Sequence, residues 1–478
     1  MSEKTSSGDS GFSSKIGFVL AAAGSAVGLG NIWRFPYLAA KHGGGIFLLT
    51  YLIIVLTFGY SLMISENCLG RMTGKGPIGT YRDLCDGRKS FLRTIRIGGW
   101  WTALVPLIIT PYYCVIGGWV TKYVVALCSS SVAEFSKDHL IEKADGSTTP
   151  YSVSYFISFI TGTWEPIVYF LLFALILVAV VALGIEKGIE RFNKILMPAL
   201  VILILGICVY CCFLPGADKG LTYYFKPDAS KFSYMTVVAA MGQVCFSLSL
   251  SMGIAITYGS YMRKQDDLVS SVNQVELFDT GIALLAGLMI IPAVVAFGGE
   301  KAAEAAGPGL VFITMPQVFA NFPGGQFIGI AFFVLVLFAA ATSAISLLET
   351  NVQTISQELK VTRKAAIVIG FAEIIVIGVI TVLGYSVLSH VHPLSFIEQY
   401  KGMDILDSLD FVSNNVMMPI AGIFTTILVV AVIGLEKIGS EIKGSSKWYR
   451  EWLYQFCMCV VVIPCLLIVL LSSVGIFK

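Results

Sequence analysis

Two runs in the chain decide its class. "IFLLTYLIIVLTFGYSLMIS" at 46–65 and "IVYFLLFALILVAVVALGI" at 167–185 hold no charged residue, and about 20 consecutive apolar residues suffice to cross a bilayer's hydrocarbon core. Similar runs recur to the end of the chain. Charged residues make up 13% of it, where a soluble protein carries about 25%, and the mean hydropathy is +0.81. The sequence reads as an all-α polytopic membrane protein. The polar start, "MSEKTSSGDSGFSSK", lacks the cationic end and cleavage site of a signal peptide and reads as a short tail.

Hydropathy predicts 11 transmembrane helices, at 15–38, 45–70, 98–127, 166–184, 193–214, 234–262, 271–297, 326–357, 364–386, 407–435 and 450–475. If the N-terminus is inside, the tail and five inner loops, "EKGIERFNK" among them, hold 21 of the 32 Lys and Arg residues. Positive residues collect on the cytoplasmic side, so N-terminus in and C-terminus out is the expected orientation.

Two of these spans are interrupted, and they lie five apart. Span 1 contains "AAAGSAVGLGNIWRFP" at 21–36, with Gly24, Gly28, Gly30, Asn31 and Arg34 close together. Span 6 contains "MGQVCFSLSLSMGIAITYGSY" at 241–261, with Ser247, Ser249, Ser251 and Gly253 between two apolar halves. Matched breaks in two halves of a transporter point to a binding site between inverted repeats, although small residues also serve tight helix packing in membranes. The expected organisation is a cytoplasmic tail at 1–14, a first five-helix repeat at 15–214, a second at 215–435, and an inner loop with the appended helix 11 at 436–478.

Unwinding a helix in lipid frees carbonyls and amides, which is tolerable only against protein or a water-lined cavity. Freed carbonyls are hard donors suited to Na⁺, and half-helix amide ends favour carboxylates. Asn31, Ser247, Thr342 and Ser343 add neutral oxygens. These parts suit a zwitterion held beside alkali cations. Most of the 11 cysteines sit inside apolar runs and read as small packing residues. No nucleophile–base constellation points to an enzyme, and no basic stripe points to nucleic acid.

Seven segments carry a resemblance. They are "GSAVGLGNIWRFPY" at 24–37, "GGG" at 43–45, "SENCLGR" at 65–71, "YYCVIGGW" at 112–119, "GQVCFSLSLSMG" at 242–253, "AATSAISLLE" at 340–349 and "DSLDF" at 407–411. Together they resemble the neurotransmitter:sodium symporter family, in order through spans 1 to 10. The count of 11 spans resembles a bacterial branch of the family, whose core is similar to that of bacterial carriers of leucine and other hydrophobic amino acids; the leucine carrier has one span more.

The resemblance implies two Na⁺ sites. Site 1 would use Ala26, Asn31, Ser247, the substrate carboxylate and Asp279; Pro292 is the competing alignment for the last position. Site 2 would use Gly24, Val27, Ala339, Thr342 and Ser343. The substrate pocket would comprise Ala26, Gly28, Leu29, Gly30, Ile109, Tyr113, Phe246, Ser247, Ser249, Met252, Ser343 and Leu347. Amine carriers of the family place an aspartate where this chain has Gly28, so the implied substrate is an amino acid with its own carboxylate. Ile109, Met252 and Leu347 favour a neutral, hydrophobic side chain. Where the family commonly has asparagine, Asp279 offers a fixed negative charge, and chloride-independent transport is the expectation; a capping role for Asp279 is the other reading.

Arg34 and Asp410, with Gln243 nearby, resemble the outer gate, although Arg34 also suits a snorkelling position. At the inner gate the family's charged pair is replaced by Asp9 and Gln357, and its tail tryptophan by Phe12. Lys15, Tyr261 and Glu358 are candidate substitutes. Glu66 resembles a structural residue that bonds the unwound part of span 6, and Glu349 and Glu373 are either proton-linked or paired. The implied function is Na⁺-coupled symport of neutral L-amino acids by a monomer or weak dimer in the bacterial inner membrane. A passive facilitator on the same scaffold is the alternative.

Overall fold

The computed structural model describes residues 11–88, 90–142, 148–299 and 308–475. Among them, nine helices are long and apolar enough to span a membrane. These are span 2 (Gly45–Thr73), span 3 (Thr94–Ser129), span 4 (Trp164–Ala182), span 5 (Ile185–Cys212), span 7 (Leu268–Gly298), span 8 (Gly325–Leu359), span 9 (Arg363–Leu383), span 10 (Ile405–Ile433) and span 11 (Glu451–Ser473). Span 1 is a bent pair, Lys15–Ala26 and Gly30–Lys41, with an angle of 47° at the break. The sixth position is filled by two short helices, Tyr234–Ser247 and Ile254–Ser260. Neither half can cross a bilayer alone, and residues 248–253 between them leave the helical path.

Span 5 starts earlier than hydropathy predicts, at Ile185 instead of 193. The charged stretch "EKGIERFNK", expected as an inner loop, forms a π-helical turn (Ile185–Glu190) that runs into the helix. Its charge is tolerated because Glu190 accepts from Ser13 and Lys194. Outer segments read as loops also carry structure. They include a hairpin of two strands, Leu140–Glu142 and Thr148–Pro150, and the helices Tyr151–Ile160, Ala217–Phe225 and Thr314–Ala320.

Polarity is distributed inside out. Exposed side chains on the spans include Ile202, Val368 and Leu277, whereas Ser346, Thr350 and Asn351 of span 8 are buried. Lipid tails are as apolar as leucine, so close packing and hydrogen bonds hold such helices together. Glycines bring the inner half of span 6 onto span 2: a Cβ at Gly70 would meet the Ile256 carbonyl at 1.9 Å, and one at Gly259 the Asn67 carbonyl at 2.3 Å. All 11 cysteines are free.

Candidate functional site

The two breaks face each other in the interior. Span 1 leaves the α-helix at Val27 (φ −77°, ψ 97°) and resumes as a π-helical turn, Gly30–Arg34. In span 6, Ser249 and Ser251 take positive φ values of 52° and 62°, unusual for non-glycine residues, followed by Gly253 at 74°. Such conformations persist where surrounding contacts over-determine them. Here the Ser251 amide donates to Glu66 Oε1 at 2.8 Å, and Ser249 Oγ donates to the Ser25 carbonyl at 3.1 Å. Glu66 thus bonds the unwound segment of span 6, as its sequence context implied.

Two oxygen clusters flank these breaks. In the first, Asp279 Oδ1 accepts from Asn31 Nδ2 and from Ser247 Oγ, both at 2.7 Å. Tyr51 OH reaches Asp279 Oδ2 at 3.4 Å. Pro292 lies elsewhere, against Gly220. In the second, Ser343 Oγ is 2.8 Å from the Ser25 carbonyl, 3.3 Å from that of Val27 and 3.4 Å from that of Gly24. Thr342 Oγ1 is 3.1 Å from the Ala339 carbonyl and 3.4 Å from that of Val27. Asn31, Ser247 and Asp279 therefore stand together, and so do Gly24, Val27, Ala339, Thr342 and Ser343.

Between the clusters lies a cavity of about 300 Å³. Ten of the 12 residues expected around the substrate line it, and the other two do not. Leu29 lines the outer vestibule instead, and the Ser247 side chain is turned to Asp279. Ser25 and Ile254 also line the cavity. Sequence reasoning missed both, together with Tyr51. Ser25 was detectable as one more small polar residue in the first break; Tyr51 sits in an unremarkable apolar run and gave no signal. Gly28 has no room for a side chain, since a Cβ would lie 2.3 Å from Ser343 Oγ and 2.8 Å from Tyr113 OH. The Leu29 amide donates to Tyr113 OH at 3.0 Å, and the Gly28 amide to Asn31 Oδ1 at 3.0 Å.

Above Phe246 a vestibule opens between Arg34, Tyr112, Asp407 and Asp410. Arg34 and Asp410 are not joined: the guanidinium sits over the Phe246 ring, 5.2 Å from its centre, and Asp410 accepts from Asn414 at 2.6 Å and Tyr112 at 3.1 Å. Gln243 donates to the Gly30 carbonyl at 2.9 Å.

The opposite end is covered. Phe12 is buried edge-on against Phe18, Tyr258 and Tyr261. The Ser13 amide donates to Glu190 at 2.8 Å, and Arg263 to the Ser13 carbonyl at 2.6 Å. Asp9 lies outside the described residues. Of the candidate substitutes, Tyr261 bonds Glu349, which also pairs with Arg363 at 2.6 Å. Lys15 instead bonds Ser270, Glu358 pairs with Arg82, and Gln357 accepts from the Gly76 amide. Glu349 is therefore paired, whereas both oxygens of Glu373 are buried without a hydrogen-bond partner. No group of three or more His, Cys, Asp or Glu residues suited to a metal ion occurs among the described residues.

Paired broken helices around a central cavity, with an open vestibule at one end and the other end covered, define a secondary transporter. A family model described as the Sodium:neurotransmitter symporter family matches residues 10–144 and 157–478, and the chain belongs to that family. It is 32% identical to the Bacillus subtilis sodium-dependent transporter YhdH, over 98% of each chain. It is 25% identical to the human sodium- and chloride-dependent GABA transporter 2, over 93% of this chain and 77% of that one. The crystal structure of MhsT in complex with L-phenylalanine superposes with a TM-score of 0.84 at 33% identity, covering 98% of this chain and 100% of that one. The protein is a sodium-dependent symporter of the bacterial plasma membrane, and not an enzyme.

Proposed function

We propose that the chain imports neutral, hydrophobic L-amino acids with two Na⁺ ions, without chloride, by alternating access. The observation that carries this reading is the Asp279–Asn31–Ser247 cluster beside a cavity that offers no charged partner for a substrate side chain. Site 1 comprises Ala26, Asn31, Ser247 and Asp279 with the substrate carboxylate, and site 2 comprises Gly24, Val27, Ala339, Thr342 and Ser343. Asp279 supplies permanently the negative charge that a bound anion would otherwise bring. The closed space at Gly28 favours a substrate carrying its own carboxylate, and Ile109, Met252 and Leu347 receive its apolar side chain. The L-phenylalanine bound to MhsT supports the same substrate class.

Alternating access draws on two five-helix repeats, 15–214 and 215–435, with span 11 appended. The parted Arg34 and Asp410 and the covered inner end suit an outward-facing arrangement. Arg34, Asp410 and Gln243 close the outer side, and the Phe12 cluster opens on the other. Each charge that crosses 100 mV contributes about 2.3 kcal/mol, so two Na⁺ ions support strong accumulation.

The test is reconstitution into sealed vesicles with a panel of labelled amino acids, with and without an inward Na⁺ gradient, in chloride and in gluconate. Accumulation above the outside concentration is expected only with the gradient and equally in both anions. Uptake that merely equilibrates would leave a facilitator in place of a symporter.

A further inference from the structure

Asn193, on span 5, is fully buried. Its Nδ2 donates to the Ile189 carbonyl at 2.9 Å, within the π-helical turn at the start of the span. That bond fixes the orientation of the amide, and Oδ1 then faces span 1 without a hydrogen-bond partner. Buried polar atoms are nearly always partnered, and an exception points to strain, catalysis, an ion or a water.

The surroundings of this oxygen narrow the choice. A Cβ at Gly24 would lie 2.0 Å from Asn193 Oδ1 and 3.3 Å from Thr342 Cβ, so the amide and Thr342 meet over the Gly24 backbone. The Gly24 carbonyl is 3.4 Å from Ser343 Oγ. Span 5 therefore brings an uncommitted hard oxygen against the two elements, span 1 and span 8, that carry the site 2 oxygens. It does so near the covered end of the molecule. Glu190, three residues earlier, accepts from the Ser13 amide ahead of span 1.

We propose that Asn193 is a further sodium ligand: Asn193 Oδ1 shares the bound ion with the Gly24 and Val27 carbonyls and replaces one of them as Na⁺ leaves for the cytoplasm. The inference rests on the reading of Gly24, Val27, Ala339, Thr342 and Ser343 as a sodium site. A neutral amide oxygen suits a relay, because conduction needs binding strong enough to accept the ion and weak enough to release it. A carboxylate there would hold the ion more firmly.

Equilibrium binding of radiolabelled Na⁺ to the purified full chain, without amino acid, tests this. Asn193→Ala and Asn193→Leu are expected to weaken sodium binding by about tenfold, and Asn193→Asp to restore or tighten it. A Thr342→Ala/Ser343→Ala double variant serves as the reference for site 2. If that variant loses sodium while Asn193→Ala and Asn193→Leu bind as the unaltered chain does, the proposal fails and site 2 stands. If the double variant also binds normally, site 2 itself fails. An Asn193→Asp chain as weak as Asn193→Ala would make the residue a packing element and overturn the relay.

Discussion

Replacing Asp279 with asparagine removes one charge and almost no volume. The carboxylate is fully buried, and its Oδ1 stands 2.7 Å from both Asn31 Nδ2 and Ser247 Oγ, the side chains assigned with it to site 1. A pair of unit charges about 4 Å apart interacts by about 4 kcal/mol at an effective dielectric of 20. At about 1.4 kcal/mol per decade, that caps the loss of sodium affinity at about three decades. Asparagine keeps one amide oxygen and the surroundings relax, so the expected loss is about ten- to hundredfold. The assay is uptake into vesicles over a Na⁺ titration, in chloride and in gluconate. The unaltered chain should respond identically in both anions. The Asp279→Asn chain should need far more Na⁺ in gluconate and recover partly in chloride, where a mobile anion replaces the missing charge. An unchanged sodium response in the variant, or a chloride requirement in the unaltered chain, would refute the reasoning.

Gly28→Ala puts a Cβ 2.3 Å from Ser343 Oγ and 2.8 Å from Tyr113 OH. Overpacking of this kind costs about 1–3 kcal/mol, and amino-acid binding in detergent should weaken about tenfold or more; unchanged affinity would mean the pocket has room to spare. Glu66→Ala strips the Ser251 amide of its acceptor, a cost of about 1–3 kcal/mol, so the Tm should fall. Glu66→Gln, which keeps an acceptor oxygen, should recover most of it, and equal losses in both variants would count against the bond. Phe12→Ala removes the ring packed on Phe18, Tyr258 and Tyr261. Labelling of a Ser343→Cys reporter from the cytoplasmic side should then accelerate, and an unchanged rate would remove Phe12 from the closure.

Much of the interior could be read from the sequence because the anomalies are local. Glycines and serines inside apolar runs mark breaks whatever the rest of the fold does, and a lone aspartate in "VELFDTGIALL" stands out in span 7. What a residue faces is a different matter. Tyr51 follows ordinary helical spacing, and only the packing of span 2 against span 7 brings its hydroxyl to Asp279. Asn193 lies in a stretch that hydropathy assigns to the edge of a loop, because charge outweighs the pairing that Glu190 finds with Ser13. The outer helices were missed for a related reason. They are short, at 10, 9 and 7 residues.

The amides of Gly28 and Leu29 already have partners inside the protein, in Asn31 Oδ1 and Tyr113 OH. A carrier must make half of every cycle without its substrate. With these two donors satisfied, the return leg buries neither of them bare. The same pairing limits affinity, since a carboxylate arriving at these amides exchanges one hydrogen bond for another.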